Sequence, residues 1–208
     1  MIASCHPSPS HHACKKSSPV RGARLSSLFA GSGHAGRSIL RAVLLALAGS
    51  VLLAISAKLK VPFHPVPMTM QTMVVLVLGV AYGSRLGTAT VALYLLQGAV
   101  GLPVFADTPE RGIGLAYMAG PTGGYLAGFL AAAWLAGAIG QGGLLRLAAA
   151  MLAGHAVIFT FGLAWLATAI GLEKAWLVGA APFLLATLLK SALGVALVAG
   201  LKAWAPRR

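Results

Sequence analysis

Six long stretches without Lys, Arg, Asp or Glu divide this chain, and they constrain its fold more than any other feature. They cover residues 42–57, 61–84, 86–106, 112–145, 147–172 and 175–201, the last interrupted only by Lys190. A helix needs about 20 mostly apolar residues to cross the hydrocarbon of a bilayer. The stretches accommodate six such helices, at roughly 39–58, 69–84, 86–101, 117–140, 147–169 and 177–201. The second and third are short for a full crossing. Tilt or irregular backbone is therefore expected there, buried in protein or lining a cavity. With 58% hydrophobic and 9% charged residues among 208, the chain reads as an all-α, polytopic membrane protein embedded in a lipid bilayer.

The net charge of +13 does not indicate nucleic acid. The basic residues are scattered between apolar stretches instead of forming one stripe. Their distribution predicts orientation. With a cytoplasmic N-terminus, the inner side holds Lys15, Lys16, Arg21, Arg24, Arg37, Arg41, Arg85, Arg146, Lys202, Arg207 and Arg208. The outer side holds Lys58, Lys60, Arg111 and Lys174. Both termini are then cytoplasmic, in a cell-membrane protein.

Lys190 stands apart. A cation near the bilayer centre costs about 2.5–3.5 kcal/mol on insertion scales. The chain's three carboxylates, Asp107, Glu110 and Glu173, all lie outside the apolar stretches or at their margins. An anionic ligand would compensate the lysine. The competing reading is a side chain that snorkels to the interface.

Residues 1–37 differ in composition, being rich in Ser, His, Gly and Arg with no acidic residue. They read as a polar extension: a disordered tail, a start codon placed too early, or an organellar transit peptide. Cys5, His6, His11, His12 and Cys14 lack standard metal-ligand spacing, so no metal is expected. The six-helix membrane domain occupies residues 38–204.

Four local features bear on function. Ala42, Ala46, Ser50 and Ala54 form a smooth stripe on the first helix, suited to close approach of another helix, internal or external. Pro62, Pro65 and Pro67 stiffen the next connection, which serves either as a lid over a site or as an interfacial tether. Gly120-Pro121-Thr122-Gly123-Gly124-Tyr125 opens the fourth helix, where glycines permit close backbone approach to a ligand or to another helix. His155 is the intramembrane histidine. It has no acidic partner for proton relay, which favours a hydrogen bond to a neighbouring helix.

Four blocks together make a specific pattern: VPFHPVPMTMQT (61–72), YGSRLG (82–87), YLLQGAVGLPVFADTPERGIGLAYMAGPTGGYLAGF (94–129) and PFLLATLLK (182–190). In order and spacing they resemble the BioY family, the biotin-binding S components of energy-coupling-factor (ECF) vitamin importers. The resemblance spans approximately residues 40–202. It implies a six-helix S-component fold that captures biotin near the outer surface beneath the proline-bearing connection. It also implies an ECF transmembrane coupling subunit and ATPase subunits as partners. The small-residue stripe is then expected to face that coupling subunit. Two positions depart from the family pattern. Thr187 stands where the family usually has Asp, and His64 stands where related sequences often have Trp.

On this resemblance, Lys190 pairs with the biotin carboxylate. Thr187, Gln71, Thr122 and the Gly123–Gly124 backbone serve the ureido ring, and Tyr94, Tyr117, Tyr125 and Phe183 form apolar walls. The chain has no Walker motif, so an ATPase partner supplies energy. No cofactor is implied. The Asp-to-Thr change leaves a carrier of another small carboxylate as the alternative. A membrane enzyme using His155 or Lys190 lacks a partner base or metal set.

Overall fold

The computed structural model describes residues 32–61, 66 and 68–204. The cysteine- and histidine-bearing start of the chain, and Pro62, His64, Pro65 and Pro67, lie outside the described residues. The first helix, α1 (Ser32–Lys58), leads into a two-residue antiparallel ladder, β1 (Lys60–Val61) with β2 (Met68–Thr69). Then follow α2 (Gln71–Ala99), α3 (Gly114–Met118), α4 (Gly123–Ile139), α5 (Leu144–Ile170), α6 (Leu172–Gly179), a 3-10 turn at Ala181–Phe183, and α7 (Leu184–Trp204).

The two short helices expected after the first form one hydrogen-bonded element, α2, broken at Gly83 (φ 79°, ψ 169°). Only glycine adopts this conformation without strain. The backbone reverses there. A Cβ on Gly87 would lie 2.8 Å from the Cα of Gly79, whereas eight residues of straight helix span about 12 Å. Among the described residues there are therefore six crossing segments: α1, the two arms of α2, α4, α5 and α7. Among the described residues, Ser38–Lys58, Leu144–Ile170 and Leu172–Ala203 are long and apolar enough to cross a membrane, as is Gln71–Ala99 when its two arms are taken together, and Gly123–Ile139 is a shorter apolar helix. The sixth segment starts later than composition suggested. Gly179 ends α6, and Pro182, which lacks an N–H, sits in the turn before α7.

Helix α4 is the centre of the bundle, packed between α2 and α5. Ala132, Ala133 and Ala136 are completely buried. A Cβ on Gly79 would lie 2.6 Å from the Ala133 carbonyl oxygen, and one on Gly128 would lie 3.1 Å from the Cα of Ile158. Small residues bring these backbones into contact. Such packing matters in lipid, where no hydrophobic driving force pulls apolar helices together.

The small-residue stripe of α1 makes a contact within the chain. Ala46 and Ser50 are buried within the chain itself, while Ala42 and Ala54 are half-buried. Gln97 Nε2 donates to Ser50 Oγ at 3.2 Å. Neighbouring Gly49 abuts Thr90 and Tyr82 of α2. Small residues suit any close helix contact, and here the contact is with the returning arm of α2. The opposite face, with Val43, Leu47, Val51 and Ile55, is exposed.

The loop between α2 and α3 is fixed to the end of α1. Lys58 Nζ donates to the carbonyl oxygens of Phe105 (3.0 Å) and Thr108 (2.9 Å) and to Thr108 Oγ1 (3.0 Å). Lys60 forms an ion pair with Asp107, which Arg111 Nε also approaches at 3.5 Å. Phe105 stacks on Tyr117 (centroids 5.0 Å) and meets Tyr94 edge-on (5.5 Å). Gly98 makes room for the Phe105 ring, because a Cβ at that position would overlap it.

Candidate functional site

The elements at one end of the bundle enclose a two-lobed cavity. The first lobe, about 400 Å³, lies between β2, the start of α2, the middle of α5 and the start of α7. Thr69, Thr72, His155, Thr187 and Lys190 supply its polar groups, and Val66, Met68, Ile158, Phe159 and Phe183 its apolar walls. The second lobe, about 420 Å³, lies between the start of α2, the α2–α3 loop, α3 and α4. It is lined by Gln71, Thr72, Ala106, Tyr117, Thr122, Leu126 and Phe129. Val66, Thr69, Thr72 and Tyr125 line both lobes. Mostly apolar walls with a few convergent polar groups are typical of small-ligand sites.

The α7 helix presents Thr187 and Lys190 to the same lobe because residues three apart share a helix face. Lys190 is 9% exposed and donates to the Thr69 carbonyl oxygen at 2.6 Å. An ammonium has three donors. The other two have no acceptor among the described residues. Among the described residues no Asp or Glu lines either lobe, and Lys190 is the charged residue of the lining. Lys190 also borders a more open groove of about 570 Å³ with Leu59, Lys60, Met68, Thr69 and Met70. It therefore stands at the boundary between the enclosed cavity and that groove.

Tyr125 divides the two lobes. Its hydroxyl donates to the Gly179 carbonyl oxygen at 3.0 Å, and its ring lies against Gly162, where a Cβ would overlap it. Burial pushes the Tyr117 phenol above its ordinary pKa, with Thr122 and Arg111 acting in the opposite direction. Tyr117 is thus a neutral hydroxyl at physiological pH.

Among the described residues, three buried side-chain atoms have no protein partner: Gln71 Nε2, Thr72 Oγ1 and His155 Nε2. Each belongs to a residue of the cavity wall. Leaving such an atom unpaired costs about 1–3 kcal/mol. Their clustering around one cavity points to a ligand with both donors and acceptors.

Of the residues expected at the site, Lys190, Thr187, Tyr125, Phe183, Gln71, Tyr117 and Thr122 line the cavity. Tyr94, Gly123 and Gly124 do not. Tyr94 is fully buried, and its hydroxyl donates to the Val104 carbonyl oxygen at 3.0 Å, so it supports the loop. Gly123 abuts the Met118 carbonyl, and a Cβ on Gly124 would lie 2.5 Å from the Phe161 carbonyl oxygen. These two glycines permit chain packing. Sequence reasoning missed Thr69 and Thr72, which flank Gln71 in the MTMQT block. It read His155 as a helix-to-helix hydrogen bond. That contact exists, between His155 Nδ1 and Ser191 Oγ at 3.1 Å, but the ring also lines the cavity.

Fold and site together define a multi-pass membrane protein with a small-ligand cavity bordered by β2 and the α2–α3 loop. The chain belongs to the BioY family, which it matches over residues 25–207. It is 37% identical to the "Probable biotin transporter BioY" of Pyrococcus horikoshii over 144 residues, covering 69% of this chain and 85% of that protein. It is 38% identical to the "Biotin transporter BioY" of Rhizobium etli over 143 residues, covering 62% of this chain and 75% of that one. Its fold superimposes with a TM-score of 0.70 on a crystal structure described as the S-component for biotin from an ECF-type ABC transporter. The two chains are 23% identical, with 80% of this chain and 93% of that one covered.

Proposed function

We propose that this protein is the substrate-binding S component of a biotin importer. It captures biotin in the two-lobed cavity and is energised by an ECF transmembrane subunit and ATPases. The observation that carries this reading is the Lys190 ammonium, buried at the cavity mouth with two donors unengaged. A carboxylate satisfies both donors and neutralises the charge. In a low-dielectric pocket that attraction far exceeds its value in water. Thr187 offers a hydroxyl beside it, and the apolar walls at Phe159, Phe183 and Ile158 suit the thioether ring and aliphatic tail.

Family membership supports a transport subunit, not an enzyme. The basic bias supports cytoplasmic termini, with the cavity opening to the outside. The cavity lies at the end of the bundle where α1 finishes and α2 begins, opposite Arg85 and Arg146. Residues 38–204 constitute the transport domain, and residues 1–37 an extension to it.

Binding of labelled biotin to detergent-solubilised protein tests this reading. Excess unlabelled biotin should displace the label. Displacement only by a different small carboxylate would replace biotin as the cargo.

A further inference from the structure

His155 is 2% exposed and sits in the middle of α5, with its ring forming part of the wall of the first lobe. Its Nδ1 lies 2.9 Å from the Met151 carbonyl oxygen. A carbonyl oxygen only accepts, so Nδ1 carries a proton. Ser191 Oγ, 3.1 Å from the same nitrogen, is a second acceptor for it. Among the described residues no carboxylate lines the cavity, and Lys190 precedes Ser191 on the facing helix. A buried imidazole in such surroundings is neutral. The proton on Nδ1 then leaves Nε2 as a bare lone pair, and Nε2 has no protein partner.

An unengaged acceptor in a cavity wall selects for a donor on the ligand. Lys190 supplies donors at the boundary with the open groove, and His155 supplies an acceptor within the enclosed lobe. This polarity matches a molecule with an anion at one end and N–H groups at the other. We propose that His155 is a specificity-determining ligand contact, whose Nε2 accepts a ureido N–H of biotin while the carboxylate end lies at Lys190. The assignment rests on biotin being the cargo. It makes the ring's bond to Ser191 a positioning contact that fixes the tautomer.

The test uses the full chain in detergent with biotin and with two analogues, each methylated on one ureido nitrogen. Wild-type protein should discriminate against one analogue by roughly tenfold or more, the effect of an unmade buried hydrogen bond. His155→Asn keeps an N–H near the Nδ1 position but leaves nothing to accept at Nε2. It should weaken biotin by a similar factor and abolish the discrimination, and His155→Gln should restore part of both. In wild-type protein with 15N-labelled histidine, the unprotonated Nε2 resonance should move on biotin addition, a readout that needs no folded variant. A static Nε2 resonance, or equal weakening of biotin and both analogues by His155→Asn, overturns the assignment while biotin binding stands. Absence of biotin binding by wild-type protein overturns the functional reading and the assignment with it.

Discussion

The Lys190 ammonium donates to the Thr69 carbonyl oxygen at 2.6 Å, across 121 residues of sequence. This bond joins the start of the last helix to the ladder that follows α1. It ties a cation of the cavity wall to a strand that lines the same cavity. In the proposed function, a carboxylate arriving at Lys190 meets a lysine already oriented by Thr69, with two donors free.

Thr187 lies one helical turn before Lys190 on the same lobe. Thr187→Asp places a fixed carboxylate beside the ammonium and a stronger acceptor near the ureido ring. The two effects oppose each other, because the new acid also competes for Lys190. A net gain of a few-fold in biotin affinity is expected. Isothermal titration of both proteins decides, and a loss would show that competition for Lys190 dominates.

Ser50 and Val51 are adjacent on α1 but face opposite ways, Ser50 fully buried and Val51 57% exposed. Ser50→Trp forces a large ring between α1 and α2. Overpacking of this kind costs about 1–3 kcal/mol or more. It should lower the melting temperature and biotin binding together. Val51→Trp should leave both unchanged. If Ser50→Trp abolishes only assembly with a coupling subunit, the stripe faces the partner after all.

Most of the fold was legible in the apolar stretches, because a bilayer permits few spanning structures and fixes their length. The reversal at Gly83 was not, since glycine is common in membrane helices and nothing local marks a positive φ. The site was legible where a residue is anomalous in its surroundings, as Lys190 is. Thr69 and Thr72 are ordinary residues individually, and His155 stands out as an intramembrane histidine without showing that its ring faces a cavity. Their role comes from three-dimensional convergence and from unpaired atoms, which spacing does not reveal. The Ala46–Ser50 stripe shows the same limit: small residues announce a close contact without naming the partner.

Gly162 sits flush against the Tyr125 ring. Alanine in a helix is favoured over glycine by roughly 0.5–1 kcal/mol, so Gly162→Ala would stabilise the protein if the site were open. Displacing the Tyr125 ring should outweigh that gain. Reduced biotin affinity with unchanged or lower thermal stability is expected. Unchanged affinity would show that the Tyr125 ring is not a ligand wall.

Orientation is tested by single cysteines on a background with Cys5 and Cys14 replaced by Ser. Glu110 and Gly143 are exposed in loops at opposite ends of the bundle. Glu110→Cys should react with an impermeant maleimide in intact cells. Gly143→Cys should react only after permeabilisation. The reverse pattern would place the cavity on the cytoplasmic side.

The central claim is that Lys190 holds the carboxylate of biotin. The most direct measurement compares biotin with its uncharged amide in wild-type protein and in Lys190→Met, which keeps the length and removes the charge. Breaking a buried ion pair typically costs about 3–5 kcal/mol. Lys190→Met should therefore lose biotin by more than about a hundredfold while losing far less affinity for the amide. Equal loss of both ligands would contradict the account and make Lys190 a structural tie to Thr69 instead of the carboxylate partner.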